Sequence, residues 1–421
     1  MTLKKVKGTY DVMPEESFRW QALEAKIREL MEHYYYKEMR TPIFEYKEVF
    51  HRQSEQSDMV QKETYDFFDR ANREITLRPE GTAGIIRSYV ENKRHANPDL
   101  EKVYYIGPNF RYERPQKGRY RQFYQFGVEA IGAENPGLDA ELIVLAYDLI
   151  KKIGLRGAKV RINTLGDTKS RAAYKNALIE HFTPHQDTLC VDCQNRLLNN
   201  PLRILDCKID AKHNAVLSAP STQTHLTPES KAYFKAVLDH LDVCNVHYEI
   251  NNRLVRGLDY YGHTVFEVEA DIEGFGAQNV LCGGGRYQHL VKELGGPDIS
   301  GIGFAFGMER LLSALESEGI ELGKETVLDA YVIKMNDKHT ILASKIVNDL
   351  RNRKLIANLD YQNKSFKAQL KEALRHQAKY LIILGDDEVN QKMVALKNTK
   401  TEQQENVLID QVGKIIKERL E

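Results

Sequence analysis

The 421-residue chain carries 60 basic and 60 acidic side chains, so its formal net charge is zero. The length calls for two or three domains, and the charge balance excludes a histone-like, wholly electrostatic binder, so any nucleic-acid surface must be local. Five sparse cysteines suit a reducing cytosol better than a disulfide framework, the lysine-bearing N-terminus lacks the apolar stretch of a signal peptide, and no apolar run is long enough to span a bilayer.

Pro14 to about Tyr36 reads as a helix, with Pro14 in the first turn, Glu15 and Glu16 at the positive end of its dipole, and an apolar stripe of Trp20, Leu23, Ile27, Leu30, Met31 and Tyr34. TPIFEYKEVF follows as an extended segment whose Pro42 suits an edge or an interface. Ile75–Leu77 is a short strand running into RPEGT, and Gly81 or Thr82 opens a helix to about Val90. Val103–Ile106 is a strand leading into Phe110–Glu129, which reads as a hairpin with a cationic tip and a tight Pro115/Gly118 turn. A helix covers Asp139–Lys152. From about Ser170 to Val246 the texture is helical and richer in Asn, His, Thr and Ser, an insertion within a sheet domain. Strand character returns at His247–Ile250, Leu254–Val268 and Ala277–Gly283, and GIGFAFGMERL leads into a helix ending near Gly319. Beyond the polar stretch GIELGKETVLD, Ala330–Glu421 alternates strands and helices with short connections, a compact α/β domain with a mostly parallel or mixed sheet.

Parity divides the second strand of the hairpin. Arg119, Arg121, Phe123, Gln125, Gly127 and Glu129 share one face, which Arg111 and Glu113 can join from the partner strand; Gln122, Tyr124, Phe126 and Val128 share the other, a core face. The first face suits either a solvated charged surface or a nucleotide, with the ring stacking on a base and arginines forking onto phosphate oxygens. Gly301-Ile-Gly303-Phe-Ala-Phe-Gly307 lacks the strand–turn–helix context of a dinucleotide fingerprint, and Gly283-Gly284-Gly285-Arg286 lacks the P-loop ending; triple glycine there allows either close approach of backbone to a ligand or a bulged strand. Cys190-x-x-Cys193 with Cys207 and His213 raises a zinc site, but no second Cys-x-x-Cys follows, and small buried or surface thiols are the expectation.

Several segments in order resemble the histidyl-tRNA synthetases, class II aminoacyl-tRNA synthetases, over essentially the whole length. TPIFE is similar to their motif 1, LRPEGT and FRYERPQKGRYRQF to their substrate loop and motif 2, LVRGLDYY and CGGGRY to their two histidine signatures, and GIGFAFGMERL to motif 3. The resemblance implies an α+β catalytic domain on a mostly antiparallel sheet over residues 1–325, interrupted by a helical insertion at 170–246, and an α/β anticodon-binding domain at 328–421. It implies that Arg111, Glu113, Arg119, Phe123 and Arg310 bind ATP, with Mg²⁺ held mainly through the phosphates and no protein-ligated metal. Glu80, Thr82 and Gln125 would contact the α-amino end of L-histidine, and Glu129, Tyr261 and Tyr287 would surround its imidazole. Arg256 would bind histidine near its carboxylate and the α-phosphate and, with Arg111, serve the chemistry. Arg114, Gln116 and Lys117 would meet the tRNA(His) acceptor end. In the C-terminal domain Lys364, Lys367, Lys371, Arg375 and Lys379 recur at helical spacing, a cationic stripe suited to an RNA backbone or simply a solvated face. A cytoplasmic homodimer is the implied form. Tyr124 departs from the histidine of many relatives and is expected to affect packing. A non-catalytic paralogue that regulates an ATP phosphoribosyltransferase is the alternative; such paralogues typically lose the Arg256 signature and the anticodon domain.

Overall fold

The computed structural model describes residues 3–52, 57–114, 118–272 and 279–420. The chain divides into two units, 1–323 and 324–421. The first is built on eight strands: β1 (Lys37–Glu38), β5 (Glu101–Phe110), β6 (Gln122–Ile131), β7 (Lys159–Thr164), β8 (Tyr248–Ile250), β9 (Tyr261–Glu269), β10 (Val280–Tyr287) and β11 (Gly301–Gly307), where β2 (Phe44–Tyr46), β3 (Tyr65–Phe68) and β4 (Glu74–Leu77) form a separate three-stranded sheet. The large sheet runs β1-β5-β6-β11-β10-β9-β7-β8, antiparallel through its middle, with parallel pairing only at its two edges.

Strand parity decides the two faces. Phe126, Val128, Ile302, Phe304, Phe306 and Phe266 turn toward one side, where they are buried with Leu23 and Ile27 of the Pro14–His33 helix and with Leu142, Leu145 and Leu149 of the Pro136–Ile153 helix. The second helix starts cleanly because the Asn135 side chain accepts the Gly137 N–H at 2.8 Å, and it stops at Gly154, whose φ of +97° is a left-handed cap. Tyr124 sits on this face and meets Trp20 edge-on at 5.4 Å, so its role is packing, as expected.

Beneath the sheet lies a polar node that sequence reasoning passed over. Arg286 of β10 is fully buried against Asp139 of the Pro136–Ile153 helix. Its Nε donates to Asp139 Oδ1 at 2.9 Å, and its Nη1 donates to Ser300 Oγ at 2.8 Å and to the Ala133 carbonyl at 2.9 Å. Thr264 Oγ1 donates to the other Asp139 oxygen at 2.6 Å. Every charge in this node has a partner, which is what allows it to be buried.

The insertion is helical, but it closes earlier than its composition suggests. Leu165, Tyr174, Leu178, Phe182, Leu197 and Ile204 make a core of their own, whereas Phe234, Val237 and Leu241 of the Pro228–Val243 helix join the core of the large sheet. The polar surface of that last helix disguises which core it serves. The small core also takes in Leu254, Val255, Tyr261 and Val265, so the insertion packs onto the start of β9.

Two strand expectations need correction. The β5–β6 register ends at Phe110 and Gln122, with one further backbone bond from the Arg111 N–H to the Arg121 carbonyl at 2.9 Å, so the described residues between them belong to the connection and not to the strands. Arg121 turns away from the ligand face and lays its guanidinium over the Tyr112 ring at 4.0 Å, whereas Arg119 lines the cleft with Phe123 and Gln125, as the alternation predicts. Likewise Leu254–Tyr260 is a loop and β9 begins at Tyr261. Clustered arginines favour solvent and ligands over a ladder, and Gly257 interrupts the apolar run.

The second unit holds a mixed five-stranded sheet, in order Ala357–Leu359, Ala330–Lys334, Tyr380–Leu384, Met393–Asn398 and Gln404–Leu408. The first three strands are parallel and the last two antiparallel. Val332, Ile346, Leu350, Ile382, Leu396 and Ile416 centre its own core.

Candidate active site

The opposite face of the large sheet floors a cleft of about 690 Å³. Glu80, Thr82, Arg111, Glu113, Arg119, Phe123, Gln125, Arg256, Tyr261 and Arg310 all line it. The parity reading holds for the strand proper, since Phe123 and Gln125 open into the cleft and Glu129 lies farther along the same face. Glu129 and Tyr287 do not line the cleft; both are completely buried beneath it. Thr82 Oγ1 donates to one Glu129 oxygen at 2.7 Å and Tyr287 Oη to the other at 3.0 Å. Burial pushes the Glu129 carboxyl well above its ordinary range; the Thr82 and Tyr287 hydrogen bonds oppose that rise, and the charge of Glu80 adds to it.

The glycines turn out to serve protein side chains. A Cβ at Gly283 of β10 would strike the Arg256 guanidinium, and one at Gly303 of β11 would strike the Glu129 carboxylate. Bare backbone on two neighbouring central strands thus leaves a hollow in which a charged side chain can lie flat on the sheet. Gly301–Gly307 is an antiparallel strand paired to β6 and β10, not a dinucleotide turn.

Arg256 projects from the 254–260 loop and pairs with Glu267 of β9, a partner absent from the sequence reading. Glu267 pairs across the ladder with Gly283, so both partners converge on the glycine hollow. Burial is the largest single influence on the Arg256 cation and works against it, but Glu267, Tyr261, Cys282 and Asp206 together outweigh it, so its pKa is held above the ordinary arginine value. Three contacts tie this loop to the insertion: Asn200 Nδ2 donates to Asp259 Oδ1 at 2.6 Å, Arg203 Nη1 to the Arg256 carbonyl at 3.4 Å, and Arg171 Nη2 to the Asp259 carbonyl at 2.9 Å.

At the other end of the cleft, the Arg111 guanidinium lies 5.1 Å from the centroid of the Phe123 ring, and its Nε donates to the Pro79 carbonyl at 2.9 Å. Glu113 pairs with Arg119 at 3.2 Å. Arg310 Nη1 donates to the Val280 carbonyl at 2.7 Å; burial first, and then the charge of Arg119, lower its pKa. Glu309, next to Arg310, accepts from Tyr10 Oη at 2.6 Å and from the Tyr124 N–H at 2.7 Å, which ties the N-terminal segment to β6.

Glu80 has a second task. Its two oxygens accept from the backbone N–H groups of Thr82 at 2.6 Å and Ala83 at 2.9 Å, capping the Thr82–Glu91 helix. Gln125 Oε1 accepts from Asn109 Nδ2 at 2.6 Å, which aims the amide. Sequence reasoning missed Glu267, Tyr105, Tyr260, Glu309 and Asn109; the alternate-residue rule counted from Tyr261 reaches Glu267.

Arg114 is exposed and borders a separate small pocket with Lys62 and Tyr112. Gln116 and Lys117 lie outside the described residues. In the second unit Lys367, Lys371 and Arg375 are exposed along the Phe366–Arg375 helix. The stripe is shorter than its spacing suggests, because Lys364 pairs with Glu372 and Lys379 with Asp329.

A mostly antiparallel sheet with helices on one face and a polar, arginine-lined cleft on the other is the fold of the class II aminoacyl-tRNA synthetases. The profile of the family described as histidyl-tRNA synthetase matches residues 8–311, and that of an anticodon binding domain matches 329–419. A histidine–tRNA ligase of Acholeplasma laidlawii is 54% identical over 420 residues, covering 100% of both chains. One from Bacillus subtilis is 49% identical over 413 residues, 98% of this chain and 97% of that one. The crystal structure of apo Staphylococcus aureus histidyl-tRNA synthetase superposes with a TM-score of 0.85 at 42% identity, covering 99% of this chain and 100% of that chain. The chain belongs to the histidyl-tRNA synthetase family.

Proposed function

We propose that this protein is a histidine–tRNA ligase that activates L-histidine with ATP and esterifies it to tRNA(His). The observation that carries the reading is the meeting of Arg111, Phe123, Gln125, Arg256 and Arg310, from four separate segments, in one cleft.

ATP takes the Arg111–Phe123–Arg310 end, with adenine on the Phe123 ring and Glu113 and Arg119 toward the outer phosphates. Histidine takes the other end, its ammonium near Glu80, Thr82 and Gln125. Its imidazole lies over Tyr261 and the buried chain of Thr82, Glu129 and Tyr287. A ring lacking nitrogens would leave those polar groups unmatched, which is a strong basis for selectivity. A carboxylate oxygen of histidine attacks the α-phosphorus, and the bond to pyrophosphate breaks. Negative charge grows on the non-bridging oxygens, where Arg111 and Arg256 stabilise it without a base or a covalent enzyme intermediate. A hydroxyl of the terminal tRNA adenosine, the 3′ one by family likeness, then attacks the histidyl carbonyl and AMP leaves. Mg²⁺ arrives with ATP and is held chiefly by its phosphates; the wall carboxylates Glu113 and Glu267 are already engaged by Arg119 and Arg256.

The working form is a cytoplasmic homodimer. Ile43, Phe44, Tyr46, Phe67 and Phe68 stand exposed on and beside the three-stranded sheet, an apolar area suited to a second copy. Arg114 and the Lys367–Lys371–Arg375 face supply phosphate contacts for tRNA. The regulatory-paralogue reading is not favoured, since Arg256 is built into the cleft and the anticodon-binding profile matches the C-terminal unit. ATP–pyrophosphate exchange tested with each amino acid in turn decides the matter: exchange should depend on histidine, and its absence from folded protein with Mg²⁺ would refute the proposal.

A further inference from the structure

Outside the cleft, the insertion gathers Cys190, Cys193, Cys207 and Asp210, whose four ligand atoms all lie within 4.8 Å of one another. We propose that these four residues bind one zinc ion, which holds the segment of the insertion that supports the Arg256 loop.

The missing second Cys-x-x-Cys is supplied by Cys207-x-x-Asp210, so both halves of the cluster share one spacing, with a carboxylate in place of the fourth thiol. Each half also has the same local geometry. The Asp210 N–H donates to Cys207 Sγ at 3.4 Å, and the Cys193 N–H donates to the Cys190 sulfur. Such N–H···S contacts aim both sulfurs inward. Cys190 Sγ and Cys207 Sγ are 3.7 Å apart. Zinc–sulfur bonds of about 2.3 Å in a tetrahedron place two sulfurs about 3.8 Å apart. His213, the ligand raised by the sequence, is not part of the cluster; its Nδ1 accepts the Ala215 N–H at 3.2 Å as a helix cap.

Burial argues for a cation. Cys193, Cys207 and Asp210 are buried, and among the described residues no lysine or arginine forms an ion pair with Asp210. The Asp210 carboxylate already accepts the Cys190 N–H at 3.0 Å, and with three thiols around it the cluster offers a closed donor set for one divalent ion. Thiolate-rich, four-coordinate donors select zinc over magnesium or calcium.

The cluster also has leverage on the cleft. Between its two halves lie Asn200 and Arg203, which hold Asp259 and the Arg256 carbonyl. Asp206 and Lys208, on either side of Cys207, line the cleft wall itself. A closed zinc site here is a positioning device, remote from the reacting atoms. Its metal-binding part stands independently of the ligase reading.

The test uses the full chain purified under reducing conditions without chelator. Metal analysis should give one zinc per chain. After chelation, Co²⁺ added to the reduced wild-type protein should produce a thiolate-to-cobalt charge-transfer band that saturates at one equivalent and is displaced by Zn²⁺. Cys193→Ser should abolish the band, Asp210→Asn should weaken affinity about 100-fold, since loss of even an outer partner costs about 10–100-fold, and Cys244→Ser should behave as wild type. Wild-type protein that carries no zinc and shows no saturating cobalt band would overturn the site, as would a Cys190–Cys207 disulfide in the freshly reduced, active protein. Histidine-dependent exchange should fall on stripping and return with Zn²⁺ once Mg²⁺ is restored. Exchange unchanged by stripping would overturn the coupling to Arg256.

Discussion

Arg256 is held on the sheet by Glu267 and admitted there by Gly283, so its guanidinium is placed before substrate arrives. Preorganised charge of this kind acts mainly on the transition state. Arg256→Ala should therefore slow pyrophosphate exchange by about 100- to 1,000-fold while histidine affinity changes less than about tenfold. Equal losses in both would make it a binding residue. Glu129 offers a pH test. Burial raises its carboxyl pKa in the folded state, so the folded protein keeps a proton that the unfolded chain releases at about pH 4.3. Folded protein then binds more protons than unfolded, and stability falls as pH rises from there toward the raised value, by about 1.4 kcal/mol for each pH unit crossed. Glu129→Gln removes that slope. Melting temperatures of the free enzyme should thus favour the variant increasingly as pH rises through this window; a pH-independent difference would contradict the assignment.

The strands β10 and β11 carry two duties at the scale of elements. Their ligand-side glycines make the hollow, while Arg286 on the opposite side anchors the Pro136–Ile153 helix through Asp139. Removing one partner of a buried pair strands the other. Arg286→Ala should cost about 3–5 kcal/mol in urea unfolding of the first unit, and the paired change Arg286→Met with Asp139→Leu should recover much of it. This node was invisible in the sequence, because Arg286 stands beside Tyr287 in CGGGRY and reads as part of a substrate motif. Strand parity puts it on the core side, but only the helix packed there shows why an arginine is tolerated. The opposite error occurred at Arg121, where parity was applied beyond the end of the strand and the side chain instead stacks on Tyr112.

Two units with separate cores imply separable tasks for the whole molecule. Removing residues 324–421 should leave pyrophosphate exchange within a few-fold of the full chain and reduce aminoacylation of tRNA by about 100-fold or more, measured on the same preparation. Joint collapse of both activities would mean that the C-terminal unit is needed to fold or pair the catalytic one. Changing Lys367, Lys371 and Arg375 together to alanine should flatten the salt dependence of tRNA binding, by about 0.7–0.9 in log–log slope for each phosphate that is no longer neutralised. A change in affinity without a change in slope would place these side chains away from the RNA backbone.

The sequence by itself determined the helices with strong apolar stripes, the alternation of β6, a separate C-terminal unit and the motif residues Arg111, Phe123, Gln125, Arg256 and Arg310 that meet in the cleft. Each of these rests on local periodicity or on a motif whose residues are near neighbours in the chain. Tertiary structure alone decided the rest. Glu267 became the partner of Arg256, the glycines became room for protein side chains, and Glu129 and Tyr287 withdrew beneath the floor. The Pro228–Val243 helix joined the main core, and Asp210 completed the cysteine cluster. All of these join residues distant along the chain, through packing on a shared sheet face or across the insertion, and no local pattern encodes which distant partner a side chain will meet.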